Sequence, residues 1–400
     1  MITKELIKEK AFALKEETIR LRRHFHEYPE LGFKEFETSK YIAEYLDKFG
    51  INYQKGIAKT GIVGKIEGKG PGKSILLRAD MDALPVKELN DVPYKSKNEG
   101  VMHACGHDTH IAMLLTTLRI LNEIKDEFSG TVYFVFQPAE EGPGGARPIV
   151  ESGVLGTREN YKIDAALAVH VHTQKPTGVI STLYGEFTAS SDILRFKIMG
   201  KGGHAAAPHE TVDPIYIAAQ IITSIYGWIT RYVDPIERVV FTVGKVVAGE
   251  RFNVIPDFAN IEATLRTMNP EIREDLLKKI PEVANKIAEA FGGKVETRIE
   301  RGYSPGVNDK ELFELIKNST IELFGEKYFE LDRPSMGAED FFEFSNNGKI
   351  PVAMFWLGGK NEQKGCTEPN HSPKFNIDED ALPYGVAVMT YTTLKFLGNK

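Results

Sequence analysis

The stretch His103-Ala104-Cys105-Gly106-His107-Asp108-Thr109-His110 packs three imidazoles, a thiol and a carboxylate into eight residues at the entry to a predicted helix. Thiolate and neutral imidazole are the donors that zinc and similar divalent first-row ions prefer, and a bound cation deprotonates a thiol whose free pKa is ~8.5. The competing account is a helix start capped by Asp108 or Thr109, with the histidines facing solvent. So dense a cluster favours metal. Glu140 and Glu141 follow the apolar run TVYFVFQ after Pro138 and Ala139. Residues leaving a strand alternate sides, so one carboxylate can bind metal while its neighbour takes a proton from an attacking water. Two solvated loop glutamates are the alternative, less expected after so apolar a strand. Of ten histidines nine precede residue 210, and His371 stands alone near the end. Spacing leaves His170 and His371 open between ligand and structural histidine, and His172 competes with His170.

These groups need elements to bring them together. Asp80 and Asp82 follow SILLR, the glutamate pair follows TVYFVFQ, His170 ends DAALAV, and the loop after VAMFWLGG leads to His371. Each lies at the carboxyl end of a predicted buried strand, the edge at which open α/β sheets bind ligands. Helical periodicity covers residues 4–26 and 35–49, and a long amphipathic helix is expected from Asp108 to about Phe128. From about residue 190 the order becomes β-α-β-β-α-β, which closes as a ferredoxin-like unit. Residues 187–301 therefore read as an inserted domain, with 1–186 and 302–400 as the two parts of the domain it interrupts. Helices over 310–324 and 338–345, the strand VAMFWLGG and a final helix from about Asp378 to the C-terminus complete the second part.

A chain of 400 residues exceeds one typical hydrophobic core. With 42% apolar and 26% charged residues it reads as globular throughout. The 50 basic residues fall short of the 56 acidic ones, a net charge of -6, which argues against nucleic acid as a partner. No run approaches the ~20 apolar residues of a membrane span, and the charged N-terminus lacks a signal-peptide core. No membrane association and a cytoplasmic location are expected. Two cysteines are too few for a disulfide framework; Cys366, in a polar stretch, reads as incidental.

Taken together, RRHFHEYPELGFKE, RADMDALP, MHACGHDTH, FQPAEEGPGGA, AVHVH, GGHAAAPH, RFNVIPDFANIEATLRT, MGAEDF and HSPKF resemble the aminoacylase and carboxypeptidase family of di-metal hydrolases. The similar branch holds hippurate hydrolases, thermostable carboxypeptidases and auxin-conjugate hydrolases. The resemblance implies an α/β fold: a mixed-sheet, zinc-peptidase-like catalytic domain with an inserted ferredoxin-like α+β lid or dimerisation domain. It implies two divalent ions, zinc first and manganese, cobalt or nickel as alternatives, on Cys105, His107, Glu141, His170 and His371. Glu140 matches the general base, Asp82 a carboxylate that orients a ligand, and His204 a histidine that polarises the scissile carbonyl across a dimer. Asn253 and Arg266 match substrate-recognition groups. The histidines of RRHFHEYPELGF read as packing at a helix end. The implied substrate is an N-acyl amino acid or short peptide, and the implied assembly a homodimer or homotetramer. N-acetyl-diaminopimelate deacetylation is an alternative activity, as are a metal-free hydrolase using Cys105 as nucleophile and a protein whose metals only stabilise the fold.

Overall fold

The computed structural model describes residues 2–398. Three helices open the chain: α1 (Lys4–Ala13), α2 (Lys15–Glu27) and α3 (Phe36–Lys48). Sequence periodicity alone runs α1 into α2, but Leu14 takes φ -92° and ψ 6° and divides them. Then follow β1 (Tyr53–Ile57), β2 (Gly61–Glu67), β3 (Ser74–Asp80), α4 (His107–Glu123), β4 (Thr131–Gln137), α5 (Ala146–Glu151), β5 (Ala165–Pro176) and β6 (Ile180–Thr182). The middle of the chain supplies β7 (Gly185–Thr188), β8 (Asp192–Met199), β9 (Gly203–His204), α6 (Pro214–Tyr232), β10 (Val239–Ala248), β11 (Val254–Ile255), β12 (Phe258–Thr267), α7 (Pro270–Ala290) and β13 (Lys294–Arg301). It closes with β14 (Gly306–Asn308), α8 (Lys310–Phe324), β15 (Phe329–Leu331), β16 (Val352–Lys360) and α9 (Leu382–Phe396). Asp340–Ser345 is 3-10 rather than α-helix, and α9 starts after a 3-10 turn capped by Asp378. Residues 399 and 400 of the expected last helix lie outside the described residues. Among the described residues no helix is long and apolar enough to cross a membrane.

The chain divides into two compact units, Met1–Gly185 with Val307–Arg333 and Asp340–Lys400, and Glu186–Gly306 with Pro334–Glu339. The first holds an eight-stranded mixed sheet in the order β1-β2-β4-β3-β5-β16-β6-β15. Its centre is parallel: β3 runs alongside β4 and β5, and β5 alongside β16. Such strands are covered on both faces, which is why SILLRAD and VAMFWLGG are continuous apolar runs rather than alternating ones. Helix α4 differs from the amphipathic expectation. It packs against α2, α9 and the sheet, and its polar first turn, His107 to His110, is buried with the rest.

In the second unit four antiparallel strands stand in the order β10-β12-β8-β13, the ferredoxin-like arrangement. Alternation puts Leu194, Phe196 and Ile198 of β8 on the inner face, where Ile217, Ile221 and Ile225 of α6 and Leu276, Leu277 and Ile280 of α7 cover them. Asp213 and Asn269 cap the two helices, each followed by a proline whose missing N–H costs nothing at that position. One ion pair lies inside this unit: Asp192 accepts from Nε and Nη2 of Arg273, both at 2.8 Å. Removing one member leaves a buried charge without compensation. Asp192→Ala is expected to destabilise by about 3–5 kcal/mol in chemical denaturation, and adding Arg273→Met to recover most of that loss. Equal stability of the single variant and the native chain would contradict this.

Candidate metal centre

Gly106 starts α4 at φ +87°, a conformation that L side chains rarely adopt, and a Cβ there would meet Val171 Cγ2 at 2.4 Å. The glycine therefore brings the helix start, with Cys105 and His107 on either side, hard against β5. Cys105 Sγ lies 3.5 Å from His170 Nε2. Donor atoms of Cys105, His107 and His170 lie within 4.8 Å of one another, as do those of Cys105, Glu141 and His371 and those of His107, Glu140 and Glu141. Stretches more than 250 residues apart in sequence thus meet in one cluster.

Backbone carbonyls set the two buried imidazoles. His107 Nδ1 bonds to Asp82 O at 2.9 Å and His170 Nδ1 to Val171 O at 2.8 Å. With Nδ1–H donating, each ring turns an unprotonated Nε2 into the cluster, the form that ligates metal. His107 Nε2 lies 3.6 Å from Asp80, 3.9 Å from Glu140 and 4.0 Å from Glu141, yet it makes no hydrogen bond. Glu141 Oε1 likewise sits 3.1 Å from His371 Nε2 without hydrogen-bond geometry. Buried polar atoms that converge without bonding one another are what a shared cation would satisfy. Charge agrees: burial opposes protonation of His107, but Asp80, Asp82 and Cys105 outweigh it and move its pKa up. Cys105 and Glu141 push His371 up to about 10. The cluster is short of positive charge, and its sulfur, imidazole and carboxylate set fits a divalent ion.

Asp82 organises the acids. Its Oδ1 accepts from Glu140 N and its Oδ2 from Glu141 N, each at 2.9 Å. The glutamates occupy a turn that begins with Ala139 at φ 55°, so strand alternation does not govern them as expected, and both carboxylates approach His107. Glu35, buried, holds Ala139 N at 2.9 Å from beneath. His371 takes φ 70°, a conformation uncommon outside glycine. It is held there by its N–H to Ala104 O at 2.7 Å and by Asn370 Nδ2, which donates to Cys105 O and Val171 O.

Several local expectations change. His170 lies within β5, not past its end; β5 outruns β3, whose pairing stops at Ala168. His172 packs on Trp356 and burial lowers its pKa to about 4, leaving His170 to face Cys105. Asp108 does not cap α4: its Oδ2 takes Arg22 Nε at 2.8 Å and His26 Nδ1 at 2.7 Å, so His26 is bonded and not merely packed. Cys366 is buried, and that burial raises its thiol to about 11. Asp80, His110 and Asp340 went unassigned in the sequence; the motifs RAD, HDTH and GAED contain them, but nothing in their spacing shows that they touch. In the second unit β9 pairs with β11, setting exposed His204 opposite Val254, and Ala205 N donates to Asn253 O at 3.2 Å. Half-buried Arg266 stands at the far end of β12, eight residues beyond Phe258, which is about 26 Å at ~3.3 Å per residue.

Residues 76–395 match the profile of peptidase family M20/M25/M40. The chain belongs to that family. It is a metal-dependent hydrolase of the amidohydrolase and carboxypeptidase kind, as its relatives' names agree. A thermostable carboxypeptidase of Saccharolobus solfataricus is 41% identical over 94% of this chain and 95% of its own length. An N-acyl-L-amino acid amidohydrolase of Geobacillus stearothermophilus is 40% identical over 78% of this chain and 83% of its own. Among solved M20 structures, the Bacillus subtilis YXEP protein, described as a dinuclear metal-binding peptidase, superposes with a TM-score of 0.84 at 34% identity, covering 97% of this chain and 99% of that one.

Proposed function

We propose that this M20 enzyme hydrolyses the amide bond beside a free carboxylate, in N-acyl-L-amino acids and at the C-terminus of short peptides. The observation that carries the reading is the convergence of Cys105, His107, Glu141, His170 and His371, with the second acid Glu140 within the same reach. These five residues would hold two divalent ions, zinc by preference and manganese, cobalt or nickel as alternatives. Once bound, such ions supply Lewis acidity toward the carbonyl and an acidified water. Glu140 takes the proton of the attacking water and returns it to the leaving nitrogen. Asp82 positions Glu140 and Glu141 through their N–H groups and His107 through its Nδ1. A thiol nucleophile is disfavoured, because burial and then Glu141 raise the Cys105 pKa, where a nucleophilic cysteine needs it lowered.

His204, Asn253 and Arg266 complete the proposed machinery, His204 polarising the carbonyl and Arg266 pairing with the substrate carboxylate. One second unit cannot bring all three to a small substrate, given the length of β12 between them. Two copies sharing their sites can, which supports a homodimer. Strand β10 offers the surface: it is a sheet edge with Val240, Val246 and Val247 exposed and Lys245 its only charge, whereas the opposite edge, β13, carries Lys294, Glu296, Arg298, Glu300 and Arg301. Charged edges resist self-pairing and apolar ones invite it. His204→Ala is expected to lower kcat about 10²–10³-fold, as loss of an oxyanion donor does. Mixing this inactive variant with inactive Glu140→Gln, under conditions that exchange subunits, should regain turnover; no recovery would exclude shared sites.

The reading is tested on a panel of N-acetyl, N-benzoyl and benzyloxycarbonyl amino acids, N-acetyl-diaminopimelate and dipeptides, assayed with each of the four metals. Cleavage is expected where the α-carboxylate is free and loss of it where that group is amidated. Equal turnover of both forms would overturn the reading.

A further inference from the structure

Arg78, near the end of β3, is 1% exposed, and its single guanidinium reaches Gln137, Asp80 and Asp340. Its Nε donates to Gln137 Oε1 at 2.9 Å, its Nη1 to Asp80 Oδ2, and its Nη2 to Asp340 Oδ1 at 3.2 Å. Each partner leads onward. Asp80 Oδ1 lies 2.6 Å from His110 Nδ1, and His110 Nε2 accepts from Val171 N at 3.0 Å. That N–H belongs to the stretch of β5 beyond the last pairing with β3, so His110 bonds the edge of the strand that β3 has left, while β16 still pairs its other edge. The same residue's carbonyl fixes the His170 ring. On the other side, Asp340 Oδ2 accepts from Gly145 N and Ala146 N, both at 3.0 Å, and its Oδ1 accepts from Gln137 Nε2 at 2.6 Å. Those contacts close the loop from Pro138 to Gly145 that carries Glu140 and Glu141, whose turn is drawn in by Gly144 N bonding to Ala139 O at 3.0 Å.

A buried ion pair of this kind is often no more stabilising than apolar packing, so stability alone does not explain it. What an apolar residue could not do is hold two separate ligand-bearing segments at a fixed offset. The planar fork of arginine does so through directed bonds to Gln137, Asp80 and Asp340. We propose that Arg78 is a positioning residue that locks the His170 segment of β5 and the Glu140–Glu141 loop in one register, so that donor atoms from both arrive together at the metal sites. This rests on the metal-hydrolase reading above.

The test is metal binding, by competition titration with a chromophoric chelator and by metal content per chain, on the full chain as isolated and on Arg78→Met, Arg78→Lys and Asp340→Asn. The native chain is expected to bind two ions. Arg78→Met should lose about 10–100-fold in affinity, the range for outer partners of metal ligands. Arg78→Lys, which keeps the charge but not the fork, should fall between, and Asp340→Asn, which acts on the glutamate-loop side and leaves the Asp80–His110 branch in place, should weaken one ion more than the other. A residue that serves only the fold would lower melting temperature without changing affinity. Native affinity for both ions in Arg78→Met overturns the inference while leaving the hydrolase reading intact; fewer than two ions on the native chain overturns both. Should Arg78→Met fail to fold, native affinities in Arg78→Lys and Asp340→Asn together overturn it.

Discussion

Glu140→Gln is expected to lower kcat by about 10²–10⁴-fold, the contribution of a positioned general base, with KM close to native and both ions retained. The substitution is nearly isosteric, and the Glu140 N–H that Asp82 holds belongs to the backbone, so the turn should survive it. What changes is basicity: a carboxamide cannot take a proton from water. Glu141, one residue on, is the contrasting case, because it shares its group with Cys105 and His371. Glu141→Gln should therefore release metal, whereas Glu140→Gln should not. Steady-state kinetics beside metal content per chain separates the two. A Glu140→Gln enzyme with more than a tenth of native turnover would remove Glu140 from the base role.

Stripping the protein with a strong chelator should abolish turnover, and adding back a divalent ion should restore it. Stability should fall with it: a ligand present at a thousand times its Kd contributes about 4 kcal/mol to the folded state. The stripped chain keeps the Glu140 and Glu141 carboxylates close together beside His107 with no ion shared between them, so a lower melting temperature is expected in calorimetry. The alternative centred on Cys105 predicts the reverse pattern, with no effect of chelator and full inactivation by a thiol alkylating agent. Activity that survives complete metal removal would end the metal-dependent account.

The sequence by itself settles the chemistry on offer and most of the scaffold. Apolar runs such as SILLRAD, TVYFVFQ and VAMFWLGG fix buried strands, and the β-α-β-β-α-β order fixes the ferredoxin-like unit, because both depend on local periodicity. The cluster around Cys105 announces a metal site through density of donor types alone. The tertiary structure decides which donors meet. Spacing cannot choose between His170 and His172, since both lie on one face of β5; the approach of Gly106 to Val171 and the bond from His170 Nδ1 to Val171 O make the choice. Nor can it deliver His371, which depends on Asn370 reaching carbonyls of Cys105 and Val171. The placing of Glu140 and Glu141 comes from a turn held by Asp82, not from strand alternation. Arg78 reads in sequence as one residue of a strand, and only partners 59 and 262 positions away show what it holds. Local propensity reports on neighbours along the chain, whereas a metal centre is made of contacts between segments that meet only after the core has formed.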